Sequence, residues 1–410
     1  MQELFSLGDL WVSDFLENGQ EPRARSELKL MLEDTGRVRL SSSVDKSLMY
    51  GKYWYRSGIN NSMKIDLLDV VNSITRVKKL SSGDLWLDIA CNDGTMLEHV
   101  KNYDRSIVAI GIDPADDSYA VESRKRSDEI AQDYFTADVY RKMLSTHGGS
   151  KKANVVTTIA MFYDLEDPAS FIKDVREVIH DDGVWVVQMS YTPLMLRQLA
   201  FDNICHEHVY YYSLSNLKSL FEENGFRVVD CQLNSVNGGS FRVFAVPKES
   251  PVSKFADQPY RDVANFRIDS ILAQEDLMKL ESPQTWLSFF DDVNTLREKT
   301  VEFIRREKLK GKKVWAYGAS TKGNTLLQYF GLDETLIDGI AERSPYKWGL
   351  RTVGTNIPIF SEDRMRKESP DYLLVLPWHF ITEFVEREKG YLESGGKFIV
   401  PCPRFEIIGR

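Results

Sequence analysis

The residues best suited to chemistry lie in the stretch FDNICHEHVYYYS (201–213), where His206, Glu207 and His208 stand between an aspartate and a run of aromatics. The chain has six histidines, so two of them one residue apart call for an explanation. A metal centre would need further ligands, and no third histidine or CxxC cluster accompanies the pair, so no metal is expected. A histidine titrates near neutrality and suits proton abstraction, with Glu207 or a nearby tyrosine to orient it. A structural role for either ring is the alternative. The candidate acid–base group is therefore His208, Glu207 and His206, with its division of labour left open by the spacing alone.

Two glycine turns carry a second kind of chemistry. LWLDIACNDGTML (85–97) puts Asp88 at the end of a strand-like run and Asn92, Asp93 and Gly94 in the turn before a helix. Such turns expose N–H groups at a helix start. A diphosphate would want G-x-G-x-x-G here. One glycine flanked by carboxylates suits a cationic, hydroxyl-rich ligand instead, and S-adenosylmethionine (SAM) fits. Asp113, in GIDP, offers two acceptor oxygens to ribose hydroxyls. Asp138, in FTAD, falls where an adenine would be bracketed, and Ala160 at the end of the next run completes the donor set. The second turn, AYGASTKGNTLL (316–327), lacks the Walker spacing. Its Lys322, with Arg343 and Lys347, is expected to neutralise a diphosphate.

The elements that must position these residues follow from periodicity. MKIDLLDVVNSITRVKKL (63–80) has helical apolar spacing. Strand-like runs then alternate with helical ones: LWLDIA, SIVAIGID, DYFTAD (133–138), ANVVTTIA and GVWVVQM. That rhythm predicts a parallel sheet covered on both faces. FRVVDCQ and SFRVFAVP, joined by LNSVNGG, read as an antiparallel pair closing it, the plan of class I methyltransferases. A long amphipathic helix is predicted over 283–308, with Trp286, Phe289, Phe290, Val293, Leu296, Val301 and Ile304 as its buried stripe. KVWAYGA, LIDGIAE, YLLVLPW and KFIVPCP form a second βα series. The expected organisation is a small module over 1–60, a SAM-binding domain over 61–250, a helical linker over 251–310 and a Rossmann-like domain over 311–410.

The totals agree with an ordinary soluble globular protein. The 410 residues are 42% hydrophobic and 11% aromatic, with a net charge of −9. That charge argues against nucleic acid or an anionic membrane as partner. Four cysteines without a CxxC give no disulfide framework, and no leader or long apolar segment is evident, so a cytoplasmic protein is expected. Oligomeric state is not readable.

LDIACNDGTML, FDNICHEHVYYYS, NGGSFRVF, VWAYGASTKGNTLLQYFG, GTNIPI, PDYLLVLPWHF and GGKFIVPCP, in this order, resemble the nucleotide-sugar C-methyltransferase family over nearly all of 50–410. The resemblance implies SAM as cofactor and methylation of the carbon beside a ketone, usually C3 of a nucleotide-linked 4-keto-6-deoxy sugar. It implies that His208 is the base, with Glu207 close by, and that the C-terminal domain helps hold the substrate. Tyr55, in KYWYRSG, matches a segment near the sugar. In NGGSFRVF, Asn237, Gly238, Gly239 and Arg242 match a substrate-binding segment, and Arg242 would meet a phosphate or buttress the site. Family members usually begin with a zinc module of two cysteine pairs. Here no cysteine remains in that region, so no structural zinc is expected. Cys205 replaces a usual tyrosine, Asn237 a usual histidine, and Met161 stands where a polar histidine is common. An O- or N-methyltransferase, or a SAM- and nucleotide-binding module without activity, are the alternatives these departures leave.

Overall fold

A computed structural model describes residues 1–45, 48–49, 54–145 and 151–409, which divide into two compact units. One comprises residues 50–191 and 210–278; the other comprises 1–49, 192–209 and 279–410. The units therefore cut across the linear partition read from the sequence. Residues 1–49 and the histidine stretch belong with the C-terminal domain, and the expected linker is shared between the two.

The first unit is built on a seven-stranded sheet. Its strands are β1 (Leu85–Ile89), β2 (Val108–Ile112), β3 (Glu129–Ala131), β4 (Ala153–Ile159), β5 (Ile179–Ser190), β6 (Phe226–Asn234) and β7 (Ser240–Pro247). Their order is β6-β7-β5-β4-β1-β2-β3, parallel except for β7, which runs antiparallel to both β5 and β6. Every residue of β1 is buried, which is why it shows no apolar–polar alternation and only Asp88 interrupts its apolar run. Helix α1 (Asn61–Val77) buries Met63, Leu67, Val70, Val71, Ile74 and Val77 on one face, as its spacing predicts. The third strand is Glu129–Ala131, earlier than the expected DYFTAD run. Ala137 and Asp138 instead open a helix, Ala137–Ser145, whose apolar positions Tyr140, Met143 and Leu144 follow a period of three to four. Chain order reverses between β1 and β4, and in open α/β sheets ligands gather at the carboxyl ends beside such a reversal.

The second unit carries a six-stranded sheet: β8 (Val314–Tyr317), β9 (Ile340–Glu342), β10 (Ile359–Ser361), β11 (Tyr372–Val375), β12 (Lys397–Val400) and β13 (Glu406–Ile408). The order is β10-β9-β8-β11-β12-β13, with only the last strand antiparallel. The N-terminal residues, which show no clear period, form a strand at Gln2–Trp11 paired antiparallel with Arg25–Leu32. They are integrated into this unit rather than standing alone. Phe5 stacks on Phe290 of the helix Pro283–Leu309 with centroids 4.5 Å apart. Trp11 N donates to Gln328 Oε1 at 2.8 Å, and Phe15–Leu16 pairs with Arg351–Thr352. In the long helix Phe290 and Val301 are only half-buried, and Thr300 joins the buried stripe.

Candidate functional site

In the first unit the turn after β1 is held in an unusual backbone shape. Ala90, Asn92 and Gly94 have φ of 60°, 52° and 77°. Non-glycine residues adopt this region at a cost, which concentrates at functional sites. A Cβ on Gly94 would lie 2.7 Å from Cα of Ser123, so this glycine lets two helices approach closely.

Asp113 anchors the turn from the end of β2. Asn92 N donates to its Oδ2 at 2.7 Å and Ala115 N to its Oδ1 at 2.7 Å. Each oxygen keeps a second lone pair, so the carboxylate can still accept two hydroxyls. Burial raises its pKa against the pull of those two N–H groups. Asp88 is deeper. It accepts from Thr157 Oγ1 at 2.7 Å, and burial pushes its carboxyl up to about 7.

Asn92 and Asp93 mostly fasten the segment 54–58. Ser57 N donates to Asn92 Oδ1, Asn92 Nδ2 to Tyr55 O, and Gly58 N to Asp93 Oδ2, at 3.0, 3.0 and 2.8 Å. Lys52 and Tyr53 of the same sequence stretch lie outside the described residues. The hydroxyl of Tyr55 is buried with no hydrogen-bond partner among the described residues. Burial, then Asp93 and Asp66, keep it protonated. A buried orphan hydroxyl beside a turn of this shape is what a bound polar ligand would satisfy, so the residues of this turn fit SAM. Ala160, with φ 55°, donates its N–H to Gln188 O at 2.7 Å. Asp138 does not fit the expectation: it is exposed on its helix and ion-paired with Arg141.

Arg242 is fully buried on β7, and its guanidinium is spent on the protein. It donates to Gln188 Oε1, Asp69 Oδ2 and Ser73 Oγ at 2.8, 2.8 and 2.9 Å, and to Asp66 Oδ1 at 3.3 Å. It buttresses the sheet, with four of its five N–H groups committed to these protein partners. Asn237 sits at φ 52° and Gly238 and Gly239 at 84° and 111° in the turn before β7, where the Gly239 carbonyl accepts from Tyr191 N at 3.1 Å.

The second unit holds the acid–base group. Residues Phe201–Asn203 form one 3-10 turn, and Phe201 stacks on Phe330 with centroids 5.1 Å apart. This fixes the chain just ahead of the histidines. His208 is buried, and its Nδ1 is 2.8 Å from the carbonyl oxygen of Asn203. A carbonyl only accepts, so Nδ1 carries the proton and Nε2 of the neutral ring is the acceptor. Burial, reinforced by the Lys322 ammonium, drives the His208 pKa down to about 3. Burial pushes Glu207 up to about 7, with Lys322 pulling the other way. Cys205 Sγ, a Glu207 oxygen and a His208 nitrogen lie within 4.8 Å of one another. That donor set suits a divalent ion in type, but the charge of Lys322 beside it opposes one.

His206 is separate. Its Nε2 is bonded to the carbonyl of Ser26 at 2.9 Å, tying the loop to the strand Arg25–Leu32. It braces this unit rather than sharing the proton chemistry. The expected diphosphate clamp also dissolves. Lys322 is enclosed and donates to Asn203 Oδ1 at 2.5 Å. Lys347 is buried and donates to the carbonyl of Ala319 at 2.7 Å, whereas Arg343 is exposed. Asn203 and His379 enter the cluster without having been singled out. Both lie in quoted motifs, but nothing in their spacing distinguishes them.

Residues 66–230 match the methyltransferase domain family, and residues 235–403 match the family described as the C-methyltransferase C-terminal domain. C-methyltransferase NovU from Streptomyces niveus is 32% identical over 371 residues, spanning 90% of this chain and 84% of that protein. Among solved structures, magnesium protoporphyrin IX methyltransferase from Synechocystis PCC 6803 with bound SAM aligns with 45% of this chain and 78% of its own. Its identity is 10% and its TM-score 0.32. The YcgJ protein from Bacillus subtilis aligns with 45% of this chain and all of its own, at 12% identity and a TM-score of 0.34. Among the described residues, no helix is long and apolar enough to cross a membrane.

Proposed function

Because the chain belongs to the SAM-dependent C-methyltransferase family, we propose that it methylates C3, the carbon beside the ketone, of a nucleotide-linked 4-keto-6-deoxy sugar. The observation that carries this reading is the fixed tautomer of His208. Carbon next to a carbonyl becomes a nucleophile only after losing a proton, so a base with an accepting nitrogen is required. Nε2 of His208 supplies it, and the Asn203 carbonyl keeps the proton on the other nitrogen.

Bound SAM supplies an electrophilic methyl group. Asp113, with the backbone of the Ala90–Gly94 turn, would hold that donor, with Asp88 at the end of the strand leading into that turn. Tyr55 has the orphan hydroxyl that a polar group of donor or acceptor would complete. His208 takes the carbon-bound proton while the C–H pair moves into the C–C bond and the carbonyl pair moves to oxygen. Glu207, when ionised, stabilises the imidazolium so formed. A cytoplasmic location belongs to the same reading, supported by the acidic charge and the absence of a long apolar segment.

The test is a transfer assay by mass spectrometry, with purified protein, SAM and a panel of dTDP-, GDP- and CDP-linked 4-keto-6-deoxy sugars. Gain of one CH2 in mass by one of them supports the function and names the nucleotide. Transfer only to substrates without a ketone overturns it.

A further inference from the structure

We propose that Lys322 is the cation that takes up the negative charge of the enolate, a catalytic role in place of the diphosphate contact its glycine turn suggests. The inference rests on the ketone chemistry proposed above, and it names the group that this chemistry still lacks.

The position of Lys322 is the first observation. It lies in the first turn of the helix Thr321–Phe330, capped by Ser320, whose Oγ accepts from Gly323 N at 2.9 Å. A phosphate bound at such a helix start meets exposed N–H groups and a solvent-reaching lysine. Lys322 instead turns inward. Its Nζ is 2.5 Å from Asn203 Oδ1, and the carbonyl of the same Asn203 holds His208 at 2.8 Å. One residue thus ties the ammonium to the base. Asp202, Cys205 and Glu207 also act on the ammonium, and His208 and His379 feel its charge.

The second observation is that this placement is costly for the cation: burial lowers the pKa of Lys322 against the pull of Asp202, Cys205 and Glu207. A half-buried ammonium loses part of its hydration, and the positive end of a helix dipole is the wrong place for a cation. It also disfavours the imidazolium that His208 must become. A pocket that keeps a cation beside its base gains only if the same step creates an anion next to that cation. Proton removal from a carbon beside a ketone does so: the electron pair ends on the carbonyl oxygen. Lys322 then compensates the enolate and Glu207 compensates the imidazolium, so both charges of the ion pair are matched. The thiol of Cys205 is a weak donor, which leaves the oxyanion to a stronger one. Carbon attack on the methyl returns the pair to the carbonyl, and the thioether leaves with the former S–CH3 pair.

The experiment compares wild type, Lys322→Met and Lys322→Gln on the keto-sugar that the wild type methylates. Methyl transfer is followed together with exchange of the substrate's C3 proton into D2O, read by NMR. The proposal expects kcat to fall about 10²–10³-fold in both variants, with exchange falling in parallel and KM within about threefold of wild type. A thermal melt accompanies each variant; should the Met variant lose its cooperative transition, Lys322→Gln, which keeps a polar donor, decides alone. Unchanged kcat with a raised KM would overturn the proposal in favour of a binding contact. Unchanged exchange with slowed transfer would overturn it too, because the charge would then matter only after the enolate forms. No transfer by the wild type to any ketone overturns the function itself, and the role of Lys322 with it.

Discussion

The ring Nδ1 of His208 donates to the backbone oxygen of Asn203 at 2.8 Å, so the orientation of the ring is fixed by main chain. A side-chain partner could be lost in a relative or rotate away; a carbonyl held within a 3-10 turn cannot. Replacing His208 with Ala is expected to lower methyl transfer by at least about 10²-fold while leaving SAM affinity within about twofold. Calorimetry and a transfer assay check this, and loss of donor binding would count against the base assignment.

The shift of Glu207 to about 7 makes activity depend on pH. The carboxylate form is the one that supports an imidazolium, so kcat should rise as pH increases through about 7. Glu207→Gln should lower kcat and remove that limb of the profile. A limb that persists in the Gln variant would assign it to another group.

His208 also ties stability to pH. Its folded pKa is held down to about 3, against about 6.5 in an unfolded chain. Between those values the unfolded state binds more protons, so this contribution is intact above pH 6.5 and is lost as pH falls. At pH 5 the loss is about 2 kcal/mol. Denaturant titrations of wild type and His208→Gln at pH 5 and 8 should show the smaller pH difference in the variant.

How far this was legible in the sequence differs from residue to residue. The buried strands announced themselves, because β1, β2, β4 and the second half of β5 are mostly apolar runs without an exposed alternate face, as in a sheet covered on both sides. DYFTAD was misplaced because its alternation is short: its Thr136 is the cap of a helix, accepting from Val139 N through Oγ1 at 3.2 Å, rather than part of a strand. Asp113 lies directly after β2, as its position behind a strand-like run indicated. Arg242 was not readable as a buttress: its partner Asp66 sits on the apolar stripe of α1 and lies 176 residues away, a pairing that no local pattern contains. Lys322 was seen as a cation on a glycine turn, but spacing says nothing of whether a side chain points outward or in.

That buttress makes its own prediction. Arg242→Met leaves Asp66 buried beside Gln188 without its main counter-charge, so stability should fall by about 3–5 kcal/mol at pH 8. Burial already raises the pKa of Asp66 and Arg242 opposes this. Without the arginine the acid protonates more readily, and the deficit should shrink toward pH 5. A loss independent of pH would mean that packing, not charge, is what Arg242 supplies.

Gly94 provides a test of the donor turn. Its φ of 77° and the 2.7 Å approach to the Ser123 backbone leave no room for a methyl group. Gly94→Ala should cost at least about 2 kcal/mol, from strain and overpacking together. Thermal melts with and without SAM would show it.

The most direct test of the central claim is where the methyl group ends. SAM carrying a ¹³C-methyl group, a nucleotide-linked 4-keto-6-deoxy sugar and the purified enzyme would be incubated, and the product examined by NMR. The account predicts a ¹³C-methyl bonded to ring carbon C3, with the C4 ketone retained. A methyl signal on oxygen or nitrogen would contradict it, because no enolate, no carbon base and no charge on Lys322 would then be needed.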